Sequence, residues 1–199
     1  MSATLDLSHE PVTGVYHGKI GMWLFLASEI MFFSGFFAAF IILRNANLET
    51  FMHGAHELNW MLATFNTAVL IGSSLTMALS ILNLERGDTA KFRTFLFITI
   101  LCGFTFLVVK YFEYTAKFHH GITPGTNSFF GLYFLMTGFH GMHVVGGIIP
   151  MLWMLLRSFT KGGYSNVHRV EILGLYWHFV DLVWIFLFPV MYLIFPTKG

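Results

Sequence analysis

Apolar residues arrive in five long blocks, at 20–43, 61–84, 94–118, 129–156 and 172–195, with short polar stretches between them. Each block reaches the roughly 20 apolar residues that a helix needs to cross a bilayer. The pattern predicts an all-α integral membrane bundle of five transmembrane helices, a single transmembrane domain over 1–199. The third block is the least regular, because Lys110 and Glu113 interrupt its second half. The joining stretches 44–60, 85–93, 119–128 and 157–171 are too short to hold a separate soluble domain, and neither a repeat nor a low-complexity segment is visible. The first 19 residues lack the basic-then-apolar order of a cleaved signal, so the first block is expected to be retained.

Composition agrees with this reading. Hydrophobic residues make up 56% of the chain and charged residues only 11%, where a soluble domain carries about a quarter charged. Mean hydropathy is +0.69. A net charge of +1 with no basic run gives no case for a nucleic-acid partner. The lone Cys102 excludes a disulfide framework or a thiolate metal cluster built from this chain alone. The 24 phenylalanines suit lipid contact and interhelix packing. Lysine and arginine set the orientation. Lys19, Arg86, Lys91, Arg93, Arg157, Lys161 and Arg169 gather on one side, against Arg44, Lys117 and Lys198 on the other. The excess predicts a cytoplasmic N-terminus and a periplasmic C-terminus.

Small and aromatic residues suggest how the helices meet. Gly35 with Ala39, and Gly72 with Thr76, have the spacing that lets helices approach closely. Gly131, Gly138, Gly141, Gly146 and Gly147 narrow the fourth helix, and Pro150 removes one of its backbone hydrogen bonds. Trp23, Trp177 and Trp184 are expected inside the bundle, with Tyr16 and Tyr192 at the interfaces. Asn66 and Thr67 are expected to bond between helices. Lys110 is expected to pair with Glu113 one turn away and to snorkel outward.

The candidate chemistry lies in the polar groups planted within the blocks. In the run 173–188, His178 and Asp181 are three apart and share a helix face. A carboxylate in hydrocarbon costs several kcal/mol or more, so something must meet that face. Glu29, His140 and His143 are the candidates from this chain. Asp181 is expected to bond to His178 or to a histidine of the fourth helix. Glu29 has three readings: a neutral, hydrogen-bonded acid, favoured by desolvation; an ionised acid beside a cation; or a step in a proton route. His140 and His143 share a face of the fourth helix. With His178 and Asp181 they offer three imidazoles and a carboxylate, a ligand set suited to zinc or iron. Histidines so spaced equally serve to bond helices together, and spacing does not separate the two.

Three segments carry a resemblance. Ser28-Glu29-Ile30-Met31-Phe32-Phe33, then Gly138-Phe139-His140-Gly141-Met142-His143-Val144, then Tyr176-Trp177-His178-Phe179-Val180-Asp181-Leu182-Val183-Trp184 fall in order on the first, fourth and fifth helices. Together they resemble subunit III of the haem-copper terminal oxidases, in the short bacterial form that lacks the first two of seven helices. The resemblance implies a subunit with no catalytic, metal, haem or copper site of its own. Its partners would be subunit I, which reduces oxygen to water, and subunit II; haem and copper would lie in those partners. It also implies phospholipid bound in a cleft, support for proton uptake by the catalytic subunit, and protection of that subunit during turnover. Glu29 matches the family's carbodiimide-reactive carboxyl. His140, His143, His178, Asp181 and Glu113 would then form a structural polar network rather than a metal centre.

The implied setting is the bacterial inner membrane, with cytochrome c as donor and a larger respiratory assembly as a further partner. A quinol oxidase subunit III and an accessory protein of nitric oxide reductase share the fold and differ in partner. From other classes, a stand-alone proton transporter would use Glu29, Asp181 and the histidines, although the repeats of many transporters are missing. A metal- or haem-bearing electron carrier would need the imidazoles as ligands.

Overall fold

The structure is a computed structural model that describes residues 17–160, 164 and 166–193. Tyr16, Lys161, Lys198 and the end of the last apolar block at Phe195 lie outside these residues. The regular structure among the described residues is all helical, without a strand. The helices are α1 (His17–Ala46), α2 (Leu48–His56), α3 (Trp60–Glu85), α4 (Thr89–His119), α5 (Ser128–Ser158) and α6 (Val167–Phe188), the last continued by a π-helical turn at Pro189–Leu193. Five of them, α1 and α3 to α6, are long and apolar enough to cross a membrane.

Local chemistry sets where they begin and end. Free backbone N–H groups at a helix start need acceptors. The Asn59 carboxamide accepts from the amides of Met61 and Leu62, Asp88 from Lys91, Asn127 from Phe130 and Asn166 from Arg169. Two helices stop where the chain turns left-handed, at Gly87 (φ 76°) after α3 and Gly121 (φ 74°) after α4. Glycine adopts that conformation without a Cβ clash. Helix α5 runs unbroken through Pro150.

The spans alternate in direction and leave two ends. At the first, Lys19 at the start of α1 bonds Glu171 at the start of α6, 2.8 Å apart. There too the Arg93 guanidinium of α4 donates to the hydroxyl and carbonyl of Ser158 at the close of α5. The second end carries α2, the start of α3, the end of α4 and the π-helical turn. Helix α6 packs on α1, α3 and α5, while α5 also meets α2 and α4. Helix α3 pairs with α4 along its length.

Aromatic rings seated on glycine close the interior. Trp177 of α6 is fully buried, and a methyl group on Gly147 of α5 would stand 2.7 Å from its ring, one on Gly103 of α4 2.9 Å. Its indole N–H donates to the Ser73 hydroxyl of α3 at 2.9 Å, so one side chain touches three helices. Trp184, a further seven residues on, donates to Thr67 of α3 at 3.0 Å and lies against Phe106 and His140. Gly174 of α6 admits Ile81 of α3 in the same way, and Gly54 of α2 admits Phe129 of α5.

Several expectations need correction. The stretch 44–60 is not merely a connection: it contains α2, whose Phe51 and Ala55 are buried against the bundle. Gly35 and Gly72 face open space, so neither is a packing point. Trp23 is 60% exposed and faces outward, whereas Trp177 and Trp184 are interior. Tyr192 is buried rather than an interfacial anchor. Lys110 is also buried, at 6% exposure. Its ammonium turns in rather than out, because partners inside satisfy it.

Candidate functional site

The first intramembrane polar site joins α1 to α5. Glu29 Oε2 lies 3.0 Å from His143 Nε2, across 114 positions of chain. His143 Nδ1 lies 2.8 Å from the carbonyl of Phe139, one turn back on α5. A carbonyl can only accept, so Nδ1 carries the hydrogen. The contact at Nε2 therefore holds one proton, on the carboxyl or on the ring. With the proton on Glu29 both groups are neutral; with it on His143 they form an ion pair. Tyr176 of α6 donates its hydroxyl to the His143 carbonyl at 2.9 Å, and its ring stacks beside the imidazole. Phe33 closes the other side, edge-on to the imidazole.

A second site lies in the half of the bundle nearer α2. Lys110 Nζ donates to Glu113 Oε2 at 2.8 Å and to the Tyr192 hydroxyl at 2.7 Å. Tyr192 in turn donates to Glu113 Oε1 at 2.9 Å, which closes the triangle. The ammonium also faces the ring of Trp184, 4.8 Å from its centre, and those of Tyr133 and Tyr192. A charge removed from water is tolerable when its protons and its field are both answered, and this cage does both. The pairing of Lys110 with Glu113 was readable from a separation of three; the inward turn needed Tyr192, 82 residues away.

The remaining sequence candidates do not converge. His178 Nδ1 lies 2.6 Å from the Ser74 hydroxyl of α3. Asp181, although buried, has neither carboxyl oxygen hydrogen-bonded among the described residues. The expected bond from Asp181 to His178 or to an α5 histidine is thus not made, because the His178 ring is turned to Ser74. His140 is enclosed by Phe106 and Trp184, and neither ring nitrogen is hydrogen-bonded among the described residues. Although His140 and His143 are three apart, each belongs to a different neighbourhood. No three His, Cys, Asp or Glu residues come together as a metal-ligand group among the described residues. Asn66 and Thr67 do bond between helices, Asn66 to the Phe106 carbonyl of α4 at 3.5 Å. Ser74, Tyr176 and Tyr192 are the site residues that sequence reasoning missed as partners.

Similarity to known proteins shows the family. The family described as cytochrome c oxidase subunit III matches residues 2–195. The chain belongs to the cytochrome c oxidase subunit III family. A cytochrome c oxidase subunit 3 from Corynebacterium diphtheriae is 37% identical over 179 residues, covering 88% of this chain and 87% of the relative. One from Synechocystis is 35% identical over 204 residues, covering 98% of this chain and 85% of the relative. A "Probable cytochrome c oxidase subunit 3" from Mycobacterium tuberculosis is 36% identical over 202 residues, with 98% and 100% covered. The three segments that carried the resemblance all fall within the subunit III match. A subunit III chain is part of an oxidoreductase complex, and this one is a multi-pass membrane protein.

Proposed function

We propose that the protein is a non-catalytic accessory subunit of a proton-pumping cytochrome c oxidase in a bacterial plasma membrane, with its N-terminus in the cytoplasm. Haem and copper belong to partner subunits I and II, and this chain braces subunit I, supports its proton uptake and binds phospholipid. The observation that carries the reading is the subunit III match over residues 2–195, with relatives named for cytochrome c rather than quinol. The polar geometry supports it. Glu29 with His143, and Lys110 with Glu113 and Tyr192, satisfy one another inside the chain. The outward faces are left apolar, fit for lipid and for partner helices.

Affinity purification of the tagged chain from membranes tests the proposal. Haem and copper are expected to co-purify in fixed ratio with subunits I and II, and to remain with them when this chain is dissociated. Oxygen reduction should survive its removal, with slower proton uptake and earlier loss of activity during turnover. Iron, copper or zinc retained in fixed ratio by the dissociated chain would overturn the accessory role. A chain that translocates protons alone in vesicles would do the same.

A further inference from the structure

Asp181 lies between two tryptophan layers. Trp177 and Trp184 stand one turn before and one turn after it on the same face of α6. Their indole N–H groups go to the hydroxyls of Ser73 and Thr67 on α3. Both hydroxyls donate their own hydrogens to carbonyls of α3, those of Leu70 and Ala63. Between these layers the Asp181 carboxyl is buried, and neither oxygen is hydrogen-bonded among the described residues. A bare carboxylate in such surroundings is costly, and a proton removes that cost.

Ser74 is the hydroxyl that remains. It stands beside the Asp181 carboxyl, and its hydrogen bond among the described residues is to His178 Nδ1, at 2.6 Å. His178 is half-buried, and its Nε2, unlike either ring nitrogen of His140, is not sealed inside the bundle. On α6 it shares a face with Leu182 and Ile185, four and seven residues on and both exposed. Asp181, Ser74 and His178 thus run in sequence from a buried acid to the outer face of the bundle. The other titratable groups near Asp181 are few. Helix α4 brings Cys102, and Lys110 beyond the Trp184 ring. Helix α5 brings His140, which lies against Trp184, while Glu29 of α1 is held by His143.

We infer that Ser74 and His178 relay a proton between Asp181 and the outer face of α6, with Asp181 as the closed inner end. With the acid protonated, its O–H donates to Ser74 Oγ, Ser74 donates to His178 Nδ1, and the ring hydrogen sits on Nε2. Outward transfer moves the carboxyl proton to Oγ, the Oγ proton to Nδ1, and the Nε2 proton to a hydrogen-bond acceptor at the face. The carboxylate left behind accepts from Ser74, and Ser74 accepts from Nδ1–H, so one proton has left and no electron has moved. Nε2 has meanwhile changed from donor to acceptor. Whatever bonds His178 at that face therefore senses the proton on Asp181. The relay depends on these three residues and not on the oxidase assignment.

Infrared spectroscopy of the tagged full-length chain, purified with whatever partners it retains, tests this after transfer into D2O. The protonated Asp181 band is the one that Asp181→Asn removes, and its isotope shift times the exchange of that proton. Exchange should slow roughly a hundredfold in Ser74→Ala and in His178→Phe, the loss of a positioned proton carrier. Ser74→Thr, which keeps the hydroxyl, should restore it. Nitrogen-15 NMR of the His178 ring gives a second reading that needs no Ser74 variant. Raising the pH until the Asp181 band disappears should move the ring hydrogen from Nε2 to Nδ1. In Asp181→Asn, whose amide N–H can donate to Ser74 as the protonated acid does, the hydrogen should stay on Nε2. Absence of a protonated Asp181 band overturns the inference. So does exchange that is equally fast in wild type, Ser74→Ala and His178→Phe, or a ring signal that ignores the Asp181 band.

Discussion

Whether the proton between Glu29 and His143 rests on oxygen or nitrogen decides what that contact is. In a low-dielectric bundle the neutral arrangement, with the carboxyl donating to Nε2, avoids separating charge. Infrared difference spectra should then show a protonated carboxyl band that Glu29→Gln removes; no band assignable to Glu29 would mean the ion pair. Lys110 makes the opposite case, a charge kept by its cage. Lys110→Met leaves Glu113 buried without its cation and should cost about 3–5 kcal/mol, read as thermal unfolding in detergent. Adding Glu113→Gln to that variant should restore part of the loss. Asp181→Asn removes no hydrogen bond made among the described residues, so it should cost clearly less than Lys110→Met in the same assay. The partnerships that cross between helices could not be read from spacing, since the residues that meet there stand tens of positions apart. Spacing reports neighbours on one helix, and it did so for Lys110 with Glu113.

Helix α6 is held by rings that need missing side chains opposite them. Gly147→Leu or Gly103→Leu would drive atoms into the Trp177 ring, and overpacking of this kind costs about 1–3 kcal/mol or more. Gly35→Leu faces open space and should leave the unfolding temperature nearly unchanged. Comparing the three in one thermal series would show whether packing against Trp177 or glycine content itself is what the fold needs. Removing a cap acts at a different point: Asn127→Ala should cost about 1 kcal/mol at the start of α5. The existence of these helices was legible because length and apolarity suffice for a span. Their inward faces were not, because lipid and core are both apolar and the pattern has no contrast to report. Trp23 and Trp177 look alike in sequence for that reason, and one faces outward while the other is central. Helix α2 was missed because nine residues fall far short of a crossing, although Phe51 and Ala55 carry the helical spacing of a buried face.

At the scale of the molecule the bundle is lopsided. Helix α1 packs on α2, α5 and α6, yet Leu24, Met31 and Ile42 along it remain exposed, Met31 at 76%. Such a surface suits a partner in the membrane as well as lipid. The Glu29 contact with His143 ties it to α5, which has a consequence for biogenesis. A chain inserted N-terminus first delivers Glu29 to the bilayer 114 residues before His143 emerges to meet it. During that interval the carboxyl has no partner from α5, and α1 can drift, tilt or be captured by insertion factors. Docking of α1 is thus a late event in synthesis, and truncation before α5 should leave it marked for proteolysis.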